Sequence, residues 1–250
     1  MKLKRILSCT LAMLLFVIAP ITANAVPGNK PQSVVWNSLV LVLPDSAIEN
    51  YGQDRIITTM HYNEIQKIKD LAQKIEDDYS SIYFKANVDV KCDYEDLKEL
   101  SFEGISWNGV KPENVATQIA NNAKYNQYDS IMVVYRDVDG SNNSSFLTDA
   151  WVQGKNEISQ NATYSTYALS DSDHTIPKLN KENAELELLL PILDSVYREI
   201  SIKHPNVTTP YTYVDYNDSA KTKEEIYKYI NGGVDGSLSH YFSEFINKRY

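Results

Sequence analysis

The run SVVWNSLVLVL, Ser33 to Leu43, is β-branched and almost continuously apolar, which predicts a strand buried on both faces. Pro44 ends it. From Tyr62 to Tyr79, Ile65, Ile68, Leu71, Ala72 and Ile75 recur at helical spacing with Lys and Asp/Glu opposite them, the pattern of an amphipathic helix. IYFKANVDV then alternates, Phe84, Ala86, Val88 and Val90 against Lys85, Asn87 and Asp89, as a half-buried strand does. KPENVATQIANNAKY opens on Pro112, suited to a first helical turn, and Val115, Ile119 and Ala123 give it a narrow apolar face. DSIMVVYR, Asp129 to Arg136, reads as another buried strand, closed by the turn DVDGSNNSS. Strand, helix, strand, helix, strand predicts an α/β fold with a predominantly parallel or mixed sheet and flanking helices. Residues 146–180 are less regular, with short Tyr/Thr strands and turns. From Lys181 the pattern predicts a helical C-terminal part, over 182–203, about 223–231 and about 237–248, with Thr222 and Glu225 spaced as a capping box.

The first residues follow a different logic. Lys2, Lys4 and Arg5 precede an apolar stretch, Leu11 to Ile18, and Ala23-Asn24-Ala25 supplies small residues for a signal peptidase. Residues 1–25 are therefore expected to be a signal peptide, too short in its apolar part for a membrane span. Residues 26–32, VPGNKPQ, read as a flexible lead-in, and 33–250 as a single α/β domain without repeats. The expected location is extracellular.

Charge and cysteine content narrow the possibilities further. The chain has 24 Lys plus Arg against 33 Asp plus Glu, a formal charge of −9. The leader carries three basic residues (Lys2, Lys4, Arg5) and no acidic one, so its removal takes the charge to −12. That balance argues against nucleic acid and anionic membrane as partners, which need basic patches. Beyond the leader Cys92 is the only cysteine, so no internal disulfide is expected.

The stretch ELLLPILDSVYREI, Glu187 to Ile200, is the most informative. Leu186, Leu189, Leu190, Leu193, Val196, Tyr197 and Ile200 form an unbroken helical stripe, while Glu185, Glu187, Arg198 and Glu199 cover the other side and Asp194 stands four residues from Arg198. So wide a stripe predicts a helix buried across the sheet. Pro191 withholds the hydrogen bond due to the carbonyl of Glu187. Between the strand YDSIMVVYR and this helix lie AWVQG, Ala150 to Gly154, and ATYSTY, Ala162 to Tyr167. This order resembles secreted bacterial proteins similar to zincin metallopeptidases, in which a Trp/Gly segment and an edge strand precede the helix bearing His-Glu-x-x-His. The resemblance implies a zincin-like fold. In its most natural register Leu190 and Asp194 occupy the two histidine positions and Pro191 the glutamate position. Zinc needs two imidazoles one turn apart and a carboxylate to activate its water. Leucine cannot ligate and proline cannot act as a base, and His61, His174, His204 and His240 include no pair four apart. The resemblance therefore implies a pseudo-peptidase, with no catalytic residue, no metal and no cofactor expected.

Other chemistry is thinner. RDVDGSNN places Asp137, Asp139, Ser141 and Asn143 at alternate positions as a calcium loop would, but Asn142 stands where glycine is needed and Thr148 where glutamate is. An acidic turn closing a strand is the commoner explanation. The turn does follow the C-terminal end of a central strand, where α/β proteins bind ligands. Cys92 sits in the acidic KCDYED, which does nothing to lower its pKa. His240 and Glu244 are one helical turn apart, a pair too few for a metal site. The serines lack a Gly-x-Ser-x-Gly elbow, and no glycine-rich phosphate loop is present. Tyrosine, at 18 residues, is the one excess. Its flat ring and polar rim suit sugar, peptide or protein ligands, although strands and helix edges use it too. Asp137, Asp139, Trp151 and Tyr164 are the candidate ligand-binding residues. Two functions follow: a secreted non-catalytic protein that binds an extracellular protein, peptide or glycan, or a hydrolase whose carboxylates assemble only in the fold. A hydrolase should bring carboxylates together in a cleft, and a binding protein should expose tyrosines without them.

Overall fold

In the computed structural model the two apolar runs lie side by side inside one sheet. The structure describes residues 34–49, 55–81, 84–94, 100–101, 115–136, 145–153, 162–169, 182, 184–203 and 219–231, some by backbone alone. Contacts divide the chain after Gln32, and all of these residues belong to the second unit, Ser33–Tyr250. The strands are β1 (Val34–Val42), β2 (Asp45–Glu49), β3 (Arg55–Thr59), β4 (Phe84–Cys92), β5 (Leu100–Ser101), β6 (Ser130–Arg136), β7 (Ser145–Gln153) and β8 (Ala162–Leu169). The helices are α1 (Tyr62–Tyr79), α2 (Ala116–Asn122), α3 (Glu185–Lys203) and α4 (Ser219–Asn231). The main sheet runs β4-β1-β6-β8-β7, parallel except for β7, which pairs antiparallel with β8 at one edge. This is an α/β fold.

Both faces of the sheet are covered, which is why β6 is buried at all seven positions and has no polar face. On one side Trp36, Val40, Met132 and Tyr167 meet Ile68 and Ile75 of α1, Leu189 and Leu193 of α3, and Ile226 and Ile230 of α4. On the other Leu39, Leu41, Val133 and Tyr164 meet Val115, Ile119 and Ala123 along the narrow face of α2. One row across the sheet is polar: Ser38, Ser130 and Thr163 are register partners, and Ser130 and Ser38 are joined by a buried 2.9 Å hydrogen bond. Ser195 on α3 closes the row, 2.9 Å from the Thr163 hydroxyl and 2.7 Å from the Ile192 carbonyl. Small hydroxylated residues let the helix lie close while satisfying one another, as buried polar groups must.

The edge strand β4 is finished by side chains from α1 and its C-cap. Glu76 Oε1 accepts the Val88 N–H at 2.6 Å and Ser80 Oγ accepts the Ala86 N–H at 3.2 Å. These amides point away from β1, because the neighbouring Asp93 N–H is the one that reaches back to the Val42 carbonyl, at 3.0 Å.

Several local expectations are revised. A second sheet, β3-β2-β5, lies over residues for which the periodicity predicted no strand. Helix α4 begins at Ser219, so Thr222 lies within the helix and not at its N-cap. Helix α2, described over Ala116–Asn122, ends before the Lys124-Tyr125 end of the KPENVATQIANNAKY pattern. The segment Ala162 to Tyr167 falls in β8, between β6 and β7, and the edge strand is β7, which carries Trp151. The helix expected over about 237–248 lies outside the described residues.

Candidate functional site

The parallel strands β4, β1, β6 and β8 all end on one rim of the sheet, at Cys92, Val42, Arg136 and Leu169. In α/β folds this C-terminal rim is where ligands bind. Here it is crossed by the hairpin β2-β3 and the start of α1. The Met60 N–H donates to the Pro44 carbonyl at 2.7 Å, which ties the end of β3 to the end of β1. The Thr59 hydroxyl donates to Asp45 Oδ1 at 3.0 Å, and the Thr58 hydroxyl donates to the carbonyl of Arg136 at 2.8 Å.

Beneath this cover lies a buried ion pair. The guanidinium of Arg136 meets the carboxylate of Glu64, with side chains 5% and 0% exposed. Glu64 also accepts the His61 N–H at 2.6 Å, fixing the first turn of α1. Two charges so far from water persist only because each has the other and further hydrogen bonds. The pair therefore locks the end of the central strand to the N-terminus of α1. Sequence reasoning passed over it, although a signal existed: Arg136 is the only charged residue in an otherwise uncharged strand.

Above the pair, the rim carries two exposed tyrosines. Tyr62 is 79% exposed and Tyr94 is 67% exposed. By contrast Tyr79, Tyr135, Tyr164 and Tyr167 are among the largest fully buried side chains. The β1–β4 register ends at Val42 and Cys92, with Asp45 three residues beyond the one and Tyr94 two beyond the other. The Tyr94 phenol is held above its ordinary pKa, first by the charge of Cys92, then by desolvation, a hydrogen bond with Cys92, and the charges of Asp45 and Tyr62. Tyr94, Asp45 and Tyr62 thus lie within electrostatic reach of one another.

Elsewhere the carboxylates hold elements together. Glu185, at the first turn of α3 and 0% exposed, binds Lys74 of α1 at 2.6 Å and Lys223 of α4 at 3.5 Å. Lys223 also binds Asp78 at 2.5 Å and lies 6.0 Å from the Tyr79 ring centre. Desolvation works against the Lys223 charge, but the hydrogen bond to Asp78 and the charge of Glu185 raise its pKa overall. At the end of β4, Asp89 accepts the Tyr128 hydroxyl at 2.6 Å and Asp93 accepts from Asn122 at 2.6 Å. Lys91 donates to the Asn122 carbonyl at 2.6 Å. Among the described residues no group of three His, Cys, Asp or Glu side chains is placed to share a metal ion.

Of the expected ligand-binding residues, Tyr164 is 1% exposed and packs in the core beneath α2, so its ring meets protein and not solvent. Trp151 lies in β7 opposite Tyr164, with only its backbone described. Asp137 and Asp139 lie outside the described residues, as do the side chains of Asp194 and Arg198. Leu190 is 8% exposed and belongs to the core cluster, and α3 continues through Pro191. Cys92 is half-buried. No helix among the described residues is long and apolar enough to cross a membrane. Compared with known proteins, the chain matches no family model, no curated protein and no solved structure.

Two buried phenols give a measurable pH dependence. Burial raises the Tyr79 pKa far above its ordinary 10.0, helped by Glu185 and Asp78. Burial likewise raises Tyr128, helped by its hydrogen bond to Asp89 and by that carboxylate's charge. A raised folded value means this stability is complete below pH 10 and is lost as pH climbs towards the folded values. Absorbance titration at 295 nm should show both phenols ionising only together with the loss of structure. Ionisation of either in the intact fold, traced by its Phe variant, would contradict the burial argument.

Proposed function

We propose that the chain is a secreted, non-catalytic extracellular protein that acts by binding, on a zincin-like scaffold whose metal-binding helix has lost its motif. The observation that carries this reading is the use of α3. Leu190 is buried in the core and Pro191 sits inside the helix, at the positions where the resemblance calls for a zinc-ligating histidine and a catalytic glutamate. A leucine whose side chain fills the core has been recruited for packing, and no small repair restores a ligand there. The order of elements supports the scaffold: after β6 come an antiparallel edge strand holding Trp151, an inner strand, and a helix laid across β7, β8 and β6. The rim supports binding over hydrolysis, since its tyrosines face solvent while Glu64 is committed to Arg136.

The purified protein is expected to contain no stoichiometric zinc and to leave casein and a mixed peptide library uncleaved. Elemental analysis finding one tightly held zinc per chain, or cleavage that a chelator abolishes, would overturn the proposal.

A further inference from the structure

Two neighbouring tyrosines left in water on one rim are unusual for a protein that buries most of its other described rings. Tyr62 opens α1 three residues after Thr59, the register partner of Asp45, and Tyr94 follows β4 two residues after Cys92, the register partner of Val42. Single exposed aromatics are ordinary, but two together beside a carboxylate make a surface with a chemistry. Tyrosine faces carry negative quadrupole potential and attract cations, most strongly when an anion lies close by. We propose that Tyr62, Tyr94 and Asp45 form a docking site for a cationic side chain, the lysine or arginine of an extracellular peptide. This rests on the binding function proposed above and adds to it a place and a ligand class.

Three further observations support the assignment. Charge is complementary: the chain is formally −9, and the Arg136 guanidinium at the end of β6 is already paired with Glu64. An anionic ligand would be repelled by Asp45, and a neutral sugar would make no use of its charge. Of the groups within electrostatic reach of Tyr94, Asp45 is a carboxylate, and its negative charge favours a cation. The frame is also rigid before any ligand arrives. Met60 is hydrogen-bonded to Pro44, Thr59 to Asp45, and Glu64 holds the first turn of α1 to β6. A preorganised site loses less freedom on binding.

The probe is N-acetylated hexalysine, titrated into the purified protein by calorimetry at low and physiological salt, with hexaglutamate and chitohexaose as comparisons. Hexalysine should bind, hexaglutamate should not, and the affinity should fall at physiological salt as screening grows. Tyr62→Ala with Tyr94→Ala should weaken binding at least about tenfold. Tyr62→Phe with Tyr94→Phe, which keeps the rings, should retain it, and Asp45→Asn should weaken it severalfold. All these side chains are partly or largely exposed, and circular dichroism on each variant checks that the fold persists. Hexalysine affinity unchanged in the double alanine variant would mean diffuse attraction to an acidic protein and would overturn the site. Chitohexaose binding lost in that variant, without hexalysine binding, would overturn the cationic ligand in favour of a glycan. Cleavage of the peptide would instead overturn the non-catalytic function, and ring-dependent affinity would still stand.

Discussion

Glu64→Ala is expected to destabilise the fold by about 3–5 kcal/mol, because it leaves Arg136 as an uncompensated charge beneath the rim. The substitution also removes the acceptor for the His61 N–H, so part of the loss belongs to the helix start. Glu64→Gln separates the two effects. Glutamine can still receive that N–H but carries no charge, so whatever loss remains measures the pair. Replacing both partners, Glu64→Leu with Arg136→Met, should recover much of the stability, since burying two charges is itself costly. Urea denaturation of the single and double variants supplies the cycle. Single variants costing under about 1 kcal/mol would mean that the pair is solvated in solution.

The second large effect lies in α3. Leu189 is fully buried and Leu190 is 8% exposed, and both belong to the core between α1, α3 and the sheet. Leu189→Ala should cost about 3–5 kcal/mol and Leu190→Ala about 2–3 kcal/mol, the difference reflecting how readily each site can collapse or admit water. Denaturant melts give both. A Leu190→Ala cost near zero would mean that this side chain does not support the core, and the case for a helix converted to packing would fail with it. Asp194, one turn further along, is expected to cost under about 1 kcal/mol on conversion to alanine if it forms only an exposed pair with Arg198.

How much of this was readable from the chain depends on which interactions fix each feature. Helix α1 was legible to the residue, Tyr62 to Tyr79, because one face repeats Ile65, Ile68, Leu71, Ala72 and Ile75 and the other is charged. Strands β1 and β6 were legible because a run buried on both faces has no polar phase to confuse. The hairpin β2-β3 was missed: DSAIE and RIITT are short, and what holds them is pairing to each other and to the rim. Thr222 and Glu225 had the spacing of a capping box, yet the helix starts earlier, since spacing alone does not select which polar residue becomes the cap. At the rim, the tyrosine excess was visible in composition, but its division into buried and exposed rings was not. Tyr164 and Tyr167 sit in the strand richest in tyrosine and are buried, whereas Tyr62 and Tyr94 stand alone in sequence and are exposed. Arg136 stood out as the one charge in its strand, but its partner Glu64 lies far away in sequence on α1, so no local pattern could join the two.

The two side chains from α1 and its C-cap that occupy the outer amides of β4 bear on how this protein behaves when crowded. A bare outer strand is a template on which a stray extended segment can zip. With Glu76 and Ser80 already seated on the Val88 and Ala86 amides, an incoming strand would have to displace a charge-assisted bond before gaining any of its own. The helix thereby works as a stopper against fibril seeding, and Glu76→Ala with Ser80→Ala should leave the monomer folded while shortening the lag before it aggregates.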